Sequence, residues 1–189
     1  SLICTGADLS RYDDARVYEG LGAWNTDRAG ASAFDIEVAE VGEAFTEYVT
    51  AQLQITIPSA QNLIVSKING VRSAGWHNGN HPESAFLTLS LGAGYVIGAS
   101  AGVGGLAIIK LTRYRDTIDG LAIMNTSGGA VAYGADLDVQ CTLRNCFVYC
   151  TRTLGTGANI RSAFAKAENN VFNGWATGAT IGSSQAGIV

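Results

Sequence analysis

Charge is scarce in this sequence. Only 15% of its 189 residues are charged, while 47% are hydrophobic. A disordered chain needs the opposite balance, so a folded chain is expected, long enough for one domain with a core. The charge that exists sums to −4, which argues against a general nucleic-acid or anionic-membrane surface. Proline is nearly missing too, at 2 residues against 24 glycines. Few charges with many small residues suit a tightly turned all-β solenoid. Long apolar runs are also missing. Leu89 to Ile109 comes closest to a membrane span, but eight glycines and serines interrupt it. No basic stretch precedes an apolar one at the N-terminus, so no signal peptide is expected, and Ser1 fits the loss of an initiator Met.

Metal-ligand spacing is absent as well. The four cysteines, Cys4, Cys141, Cys146 and Cys150, form no Cys-x-x-Cys pair, and His77 and His81 lie far away in sequence. No metal site and no cofactor are expected. Cys141, Cys146 and Cys150 read as small core residues of a reduced protein. Cys146 and Cys150 stand too far apart along one extended run to form a disulfide.

What is present is a repeat. Ile118-Asp119-Gly120-Leu121-Ala122-Ile123, Leu143-Arg144-Asn145-Cys146-Phe147-Val148 and Ala167-Glu168-Asn169-Asn170-Val171-Phe172 share one pattern, with starts 25 and 24 residues apart. Gly or Asn fills the third position, where a left-handed bend is expected. Ile, Val or Phe fills the sixth, where a core-facing side chain is expected. Leu137 to Leu143 alternates apolar and polar as a half-buried strand would, and Cys146 to Cys150 restarts the alternation. Thr126-Ser-Gly-Gly-Ala130 and Thr153-Leu-Gly-Thr-Gly-Ala-Asn159 read as turns. Strand, bend, strand and Gly-rich return describe one coil of a parallel β-helix, with asparagines stacking along the bend. A leucine-rich repeat has a similar period, but here the Asn comes one residue early and no outer helix is readable.

The rest of the chain fits around that unit. Residues 1–33 read as an N-terminal arm and cap and 34–189 as the β-helix. Ser10 is expected to cap a helix through Tyr12 to Tyr18, and Tyr18, Leu21 and Trp24 form an apolar face at helical spacing. A cap is needed because the first rung otherwise exposes a bare sheet edge. Early strands are expected at Phe34–Val41, Leu53–Ile57 and Leu63–Ile68, the last ended by a turn at Asn69-Gly70. Later ones are expected at Phe86–Leu91, Tyr95–Ile97 and Leu106–Ile109. Ala179 to Gly182 and Gly187 to Val189 look like a rung begun and not finished.

Candidate site residues are few. Trp76, His77 and His81 sit in a Gly/Asn-rich loop and read first as hydrogen-bonded loop structure. Lys110, Arg113 and Arg115 with Tyr114 form a small basic cluster, read first as a solvated edge, with a carbohydrate or phosphate contact as the alternative. Asp136 and Asp138 are placed on one face of a strand. Asp119, Arg144 and Glu168 share one column of the repeats and are read as a surface charge ladder. Glycoside hydrolysis needs two carboxylates roughly 5–9.5 Å apart in a groove, and the stacking is expected to put Asp119 and Glu168 about 10 Å apart with Arg144 between them. No catalytic residue is assigned.

The order of features resembles a known family. A Trp-containing helix is followed by an acid-rich strand and by Gly75-Trp76-His77-Asn78-Gly79. The Ile118-Asp119-Gly120-Leu121-x-Ile123-x-Asn125 rung and the Leu143-Arg144-Asn145-Cys146-Phe147-Val148 rung come next. From about Tyr18 onward this resembles the right-handed parallel β-helix structural proteins of tailed bacteriophages and their prophages. Members often carry an Arg-His-Asn-Gly loop. Trp76 precedes His77 here, so no loop function carries over. The resemblance implies a virion component assembled in the host cytoplasm, often a homotrimer, touching capsid or tail proteins of the same particle. The expected function is therefore non-enzymatic capsid decoration, cementing or a spike. The alternative is a tailspike that recognises or cleaves host polysaccharide, and a secreted adhesin ranks behind both.

Overall fold

The structure is a computed structural model. It describes residues 2–3, 17–29, 36–41, 45–56, 65–70, 95–112, 115–138, 140–162, 164–182 and 187–188. Three regular turns run from 117 to 181, each contributing one short strand to each of three parallel sheets. The first turn is β9 (Thr117–Asp119), β10 (Ala122–Asn125) and β11 (Tyr133–Leu137). The second is β12 (Thr142–Arg144), β13 (Phe147–Cys150) and β14 (Thr156–Ile160). The third is β15 (Lys166–Glu168), β16 (Val171–Asn173) and β17 (Thr177–Ile181). The molecule is thus the expected parallel β-helix with a short N-terminal helix.

The stack extends towards the N-terminus through β3 (Ile36–Val41), β4 (Phe45–Tyr48) and β5 (Leu53–Ile55), then β6 (Val65–Gly70), β7 (Tyr95–Ala99) and β8 (Ala107–Leu111). Sheet A is β18-β15-β12-β9-β6-β3-β1-β2, where β1 is Leu2–Ile3, β2 Val17–Tyr18 and β18 Gly187–Ile188. Sheet B is β16-β13-β10-β7-β4, and sheet C is β17-β14-β11-β8-β5. The arm enters the solenoid directly, because β1 pairs with β3 in sheet A.

The register follows from the repeat. Ile118, Leu143 and Ala167 stack, as do Asp119, Arg144 and Glu168. The bend after each is left-handed, with φ of 79° at Gly120, 53° at Asn145 and 50° at Asn169. Gly meets this conformation without a Cβ clash and Asn tolerates it, which is why those residues recur there. Inward side chains fill the interior in columns. Leu111, Leu137 and Ile160 form one, and Ile97, Ile123 and Val148 another, all fully buried. Each such side chain contributes about 1.5–3 kcal/mol by leaving water. Cys141, Cys146 and Cys150 are free thiols in this same core.

A second phrase sets the wall of sheet C. Tyr133-Gly134-Ala135-Asp136-Leu137, Thr156-Gly157-Ala158-Asn159-Ile160 and Thr177-Gly178-Ala179-Thr180-Ile181 are three of its five strands. Their glycines leave room for core side chains. A Cβ on Gly134 would sit 2.6 Å from Val148 Cγ1 and 3.1 Å from Trp175 Cζ2, and one on Gly157 would lie 2.4 Å from Phe172 Cδ1.

Helix α1 (Leu21–Ala29) closes the N-terminal end. Leu21 and Trp24 are buried in the core with Tyr18. Leu21 N and Gly22 N donate to the Glu47 carboxylate at 2.8 and 2.9 Å, so an acid on the edge strand β4 caps the helix and meets its positive end. Asn25 Nδ2 donates to Gln54 O, and Thr56 N donates to Asn25 Oδ1, both at 2.8 Å. That one amide replaces the neighbouring strand that β5 lacks at the edge of sheet C.

Several local expectations are corrected. Tyr18 lies in a strand, and the helix starts at Leu21; residues 10–16 lie outside the described residues. Asn69 and Gly70 continue β6, paired with Glu40 and Val41, so no turn falls there. Leu137 to Leu143 is not one strand. The chain turns a corner at Gln140, φ 56°, and passes from sheet C to sheet A. Thr156 to Asn159 is strand, not turn. Ala179 to Ile181 completes the third turn, and β18 begins another by pairing with β15. The expected strand at Phe86–Leu91 lies outside the described residues.

Candidate functional site

The three outer faces differ in chemistry. Sheet B presents Val96, Ala122, Met124 and Phe147, which form a second buried apolar cluster with Tyr149 and Val171 against it. Sheets A and C present polar side chains, and each carries the same cross-rung arrangement built on an aspartate.

On the sheet A side the aspartate is Asp119. Arg144 of the next rung donates to Asp119 Oδ2 through Nε at 2.9 Å and Nη2 at 2.8 Å. Asn145 Nδ2 donates to Asp119 Oδ1 at 2.7 Å. One rung further, Asn169 Nδ2 donates to Asn145 Oδ1 at 2.8 Å. The first bend residue is Gly120, which has no side chain, so Asn145 reaches past it to the neighbouring acid. Asn170 adds a second stitch: its Nδ2 donates to Leu143 O, and Cys146 N donates to its Oδ1, both at 2.9 Å.

On sheet C the aspartate is Asp136. Asn159 Nδ2 donates to Asp136 Oδ1 at 2.9 Å, and Arg161 Nε donates to the same oxygen at 2.7 Å. Thr180 Oγ1 then donates to Asn159 Oδ1 at 3.1 Å. The Asp136 hydrogen bond holds the Arg161 guanidinium above its ordinary pKa. Burial differs between the two sites: the Asp119 side chain is 16% exposed and that of Asp136 only 2%.

The expected column of acid, base and acid on sheet A is formed, but its ion pairing does not run the whole column. Arg144 pairs with Asp119, while Glu168 pairs with Lys166 of its own strand at 3.4 Å. Asp136 and Asp138 do not lie in one strand. Asp136 belongs to β11, and Asp138 lies past its end, where its carbonyl accepts from Cys141 N as the chain turns. Of the basic cluster, Lys110 lies in β8 beside Asp136, and Arg115 Nε donates to Gln140 Oε1 at 3.4 Å. Arg113, Tyr114, Trp76, His77, His81 and Cys4 lie outside the described residues. Among the described residues no three His, Cys, Asp or Glu side chains are grouped to hold a metal ion. No helix of the described residues is long and apolar enough to cross a membrane.

The Cys141 and Cys146 thiols are not poised for nucleophilic work. Burial, reinforced by Asp116, pushes the Cys141 thiol well up, and burial pushes Cys146 up to about 12. Sequence reasoning missed Asn159, Arg161 and Thr180. The signal that marks them is the phrase aromatic or Thr, then Gly-Ala-x-Leu or Ile, whose x positions are Asp136, Asn159 and Thr180.

Fold and site together define a parallel β-solenoid whose rungs are joined by polar side-chain relays on two outer faces. No family model, curated protein or solved structure matches this chain.

Proposed function

We propose that this chain is a non-enzymatic structural protein of a tailed-bacteriophage virion, a decoration, cement or spike module that assembles as a homotrimer on capsid or tail proteins. The observation that supports it most is the use made of the acids. Asp119 and Asp136 each accept from two donors of the following rung. Such bonds hold coil to coil, whereas a hydrolytic pair needs one carboxylate facing substrate and another kept protonated. A filled core, a capped N-terminal end and stitched faces suit a rigid rod for display on a particle. The resemblance of the rung and loop sequences to phage β-helix structural proteins supplies the setting.

The test is to purify the phage particles and locate the chain on them by electron cryomicroscopy. Threefold clusters of density on the shell are the expected result. Density confined to the tail tip would move the function to host recognition, and absence from the particle would end the virion reading.

A further inference from the structure

Asn-Gly occurs three times in the chain, at Asn69, Asn78 and Asn173. Asn78 lies outside the described residues. The other two differ in how their backbone is held. Asn69 is inside β6, with Glu40 of β3 on one side and Asp119 of β9 on the other. Asn173 is the last residue of β16, the end strand of sheet B, and pairs on one side only, with Tyr149 of β13. Gly174 then leaves the strand with φ 75°, and its N–H makes no backbone hydrogen bond among the described residues. Asn173 is half-buried, so water reaches it.

We infer that Asn173 is a site of spontaneous deamidation, and that its conversion loosens the third turn as the protein ages. The Gly174 nitrogen gives up its proton to hydroxide and attacks Asn173 Cγ. A C–N bond forms, ammonia leaves with a proton from water, and a succinimide ring results. Water then opens the ring at either carbonyl. One opening gives aspartate. The other gives isoaspartate, which carries one extra carbon in the main chain. The attack is favoured by glycine at the following position, because no Cβ shields its nitrogen. A ladder opposes it, since the nitrogen must swing towards the side chain, and β16 has no ladder on its outer side among the described residues. The corner that follows has no room to spare: a Cβ on Gly174 would overlap Cys150 O. Trp175, next in the chain, is buried and donates Nε1 to Val148 O at 3.1 Å. An extra main-chain carbon just ahead of it displaces that indole from the core. The aspartate product instead adds a charge to the outer face of sheet B beside Tyr149. This chemistry needs only water, so it proceeds wherever the chain resides.

The test is to age the full chain in mildly alkaline buffer, with and without urea, and to map its peptides by mass spectrometry. In the folded chain the Asn173 peptide should gain one mass unit at a rate within about tenfold of that in urea, as a strand end opens at little cost. The Asn69 peptide should be slowed by folding at least about a hundredfold, because its strand is paired on both sides. The aged, isoaspartate-bearing chain should melt below the fresh one. Asn173→Gln, whose longer side chain cyclises far more slowly, should remove both the mass gain at that peptide and the fall in melting. Deamidation of Asn173 as slow as that of Asn69 in the folded chain overturns the inference. So does a fall in melting on ageing that Asn173→Gln leaves unchanged.

Discussion

Asp119 on the sheet A side and Asp136 on sheet C head two relays of the same design. Each accepts from an Asn and an Arg of the next rung, and each Asn accepts in turn from the rung after. The residues that carry the Asn differ. Asn145 occupies a left-handed bend, whereas Asn159 lies within a strand. The settings differ as well, since Asp119 is partly in water and Asp136 is almost wholly covered. The same bonds should then matter unequally. Water competes for an exposed carboxylate and salt screens it, while a buried one left without partners has nothing to replace them. Solenoid walls thus reuse one device at two depths, and the depth sets its contribution.

Substitutions separate the two relays. Asp136→Ala should lower stability most, by about 2–3 kcal/mol in urea unfolding. That lies below the range for a fully buried pair because Arg161 is half exposed. Asn145→Val should cost about 2 kcal/mol, since a β-branched residue resists the left-handed bend and two side-chain bonds go with it. Asn159→Val removes equivalent bonds from a strand that favours Val, so about 1 kcal/mol is expected; a loss as large as at Asn145 would show that the bend adds nothing. Asp119→Ala should cost under about 1 kcal/mol, and the difference from wild type should shrink as salt is raised.

The sheet A relay was half legible in the sequence. Gly120, Asn145 and Asn169 are residue types that announce a left-handed bend, and their spacing gave the register that stacks Asp119 on Arg144. The partner of Glu168 was not legible, because Lys166 competes from two residues away on the same strand. The sheet C relay was hidden for two reasons. Asp136-Leu137-Asp138 continues an alternation into Val139 and Cys141, so a corner at Gln140 leaves no turn residue to mark it. Thr156-Gly157-Ala158 looks like loop by composition, yet its glycine serves the packing of Phe172 within a strand. The helix was misplaced for a similar reason: Tyr18, Leu21 and Trp24 do share the core, but only the last two do so from a helix.

The most direct test of the paired-relay account is a double-mutant cycle on each acid and its arginine, Asp136 with Arg161 and Asp119 with Arg144, read by urea unfolding. A coupling of roughly 2 kcal/mol at the pair with the buried Asp136 and about 0.5 kcal/mol at the pair with the partly exposed Asp119 is expected. Equal couplings, or a larger one at Asp119, would contradict the claim that burial rather than bonding pattern decides what each relay contributes.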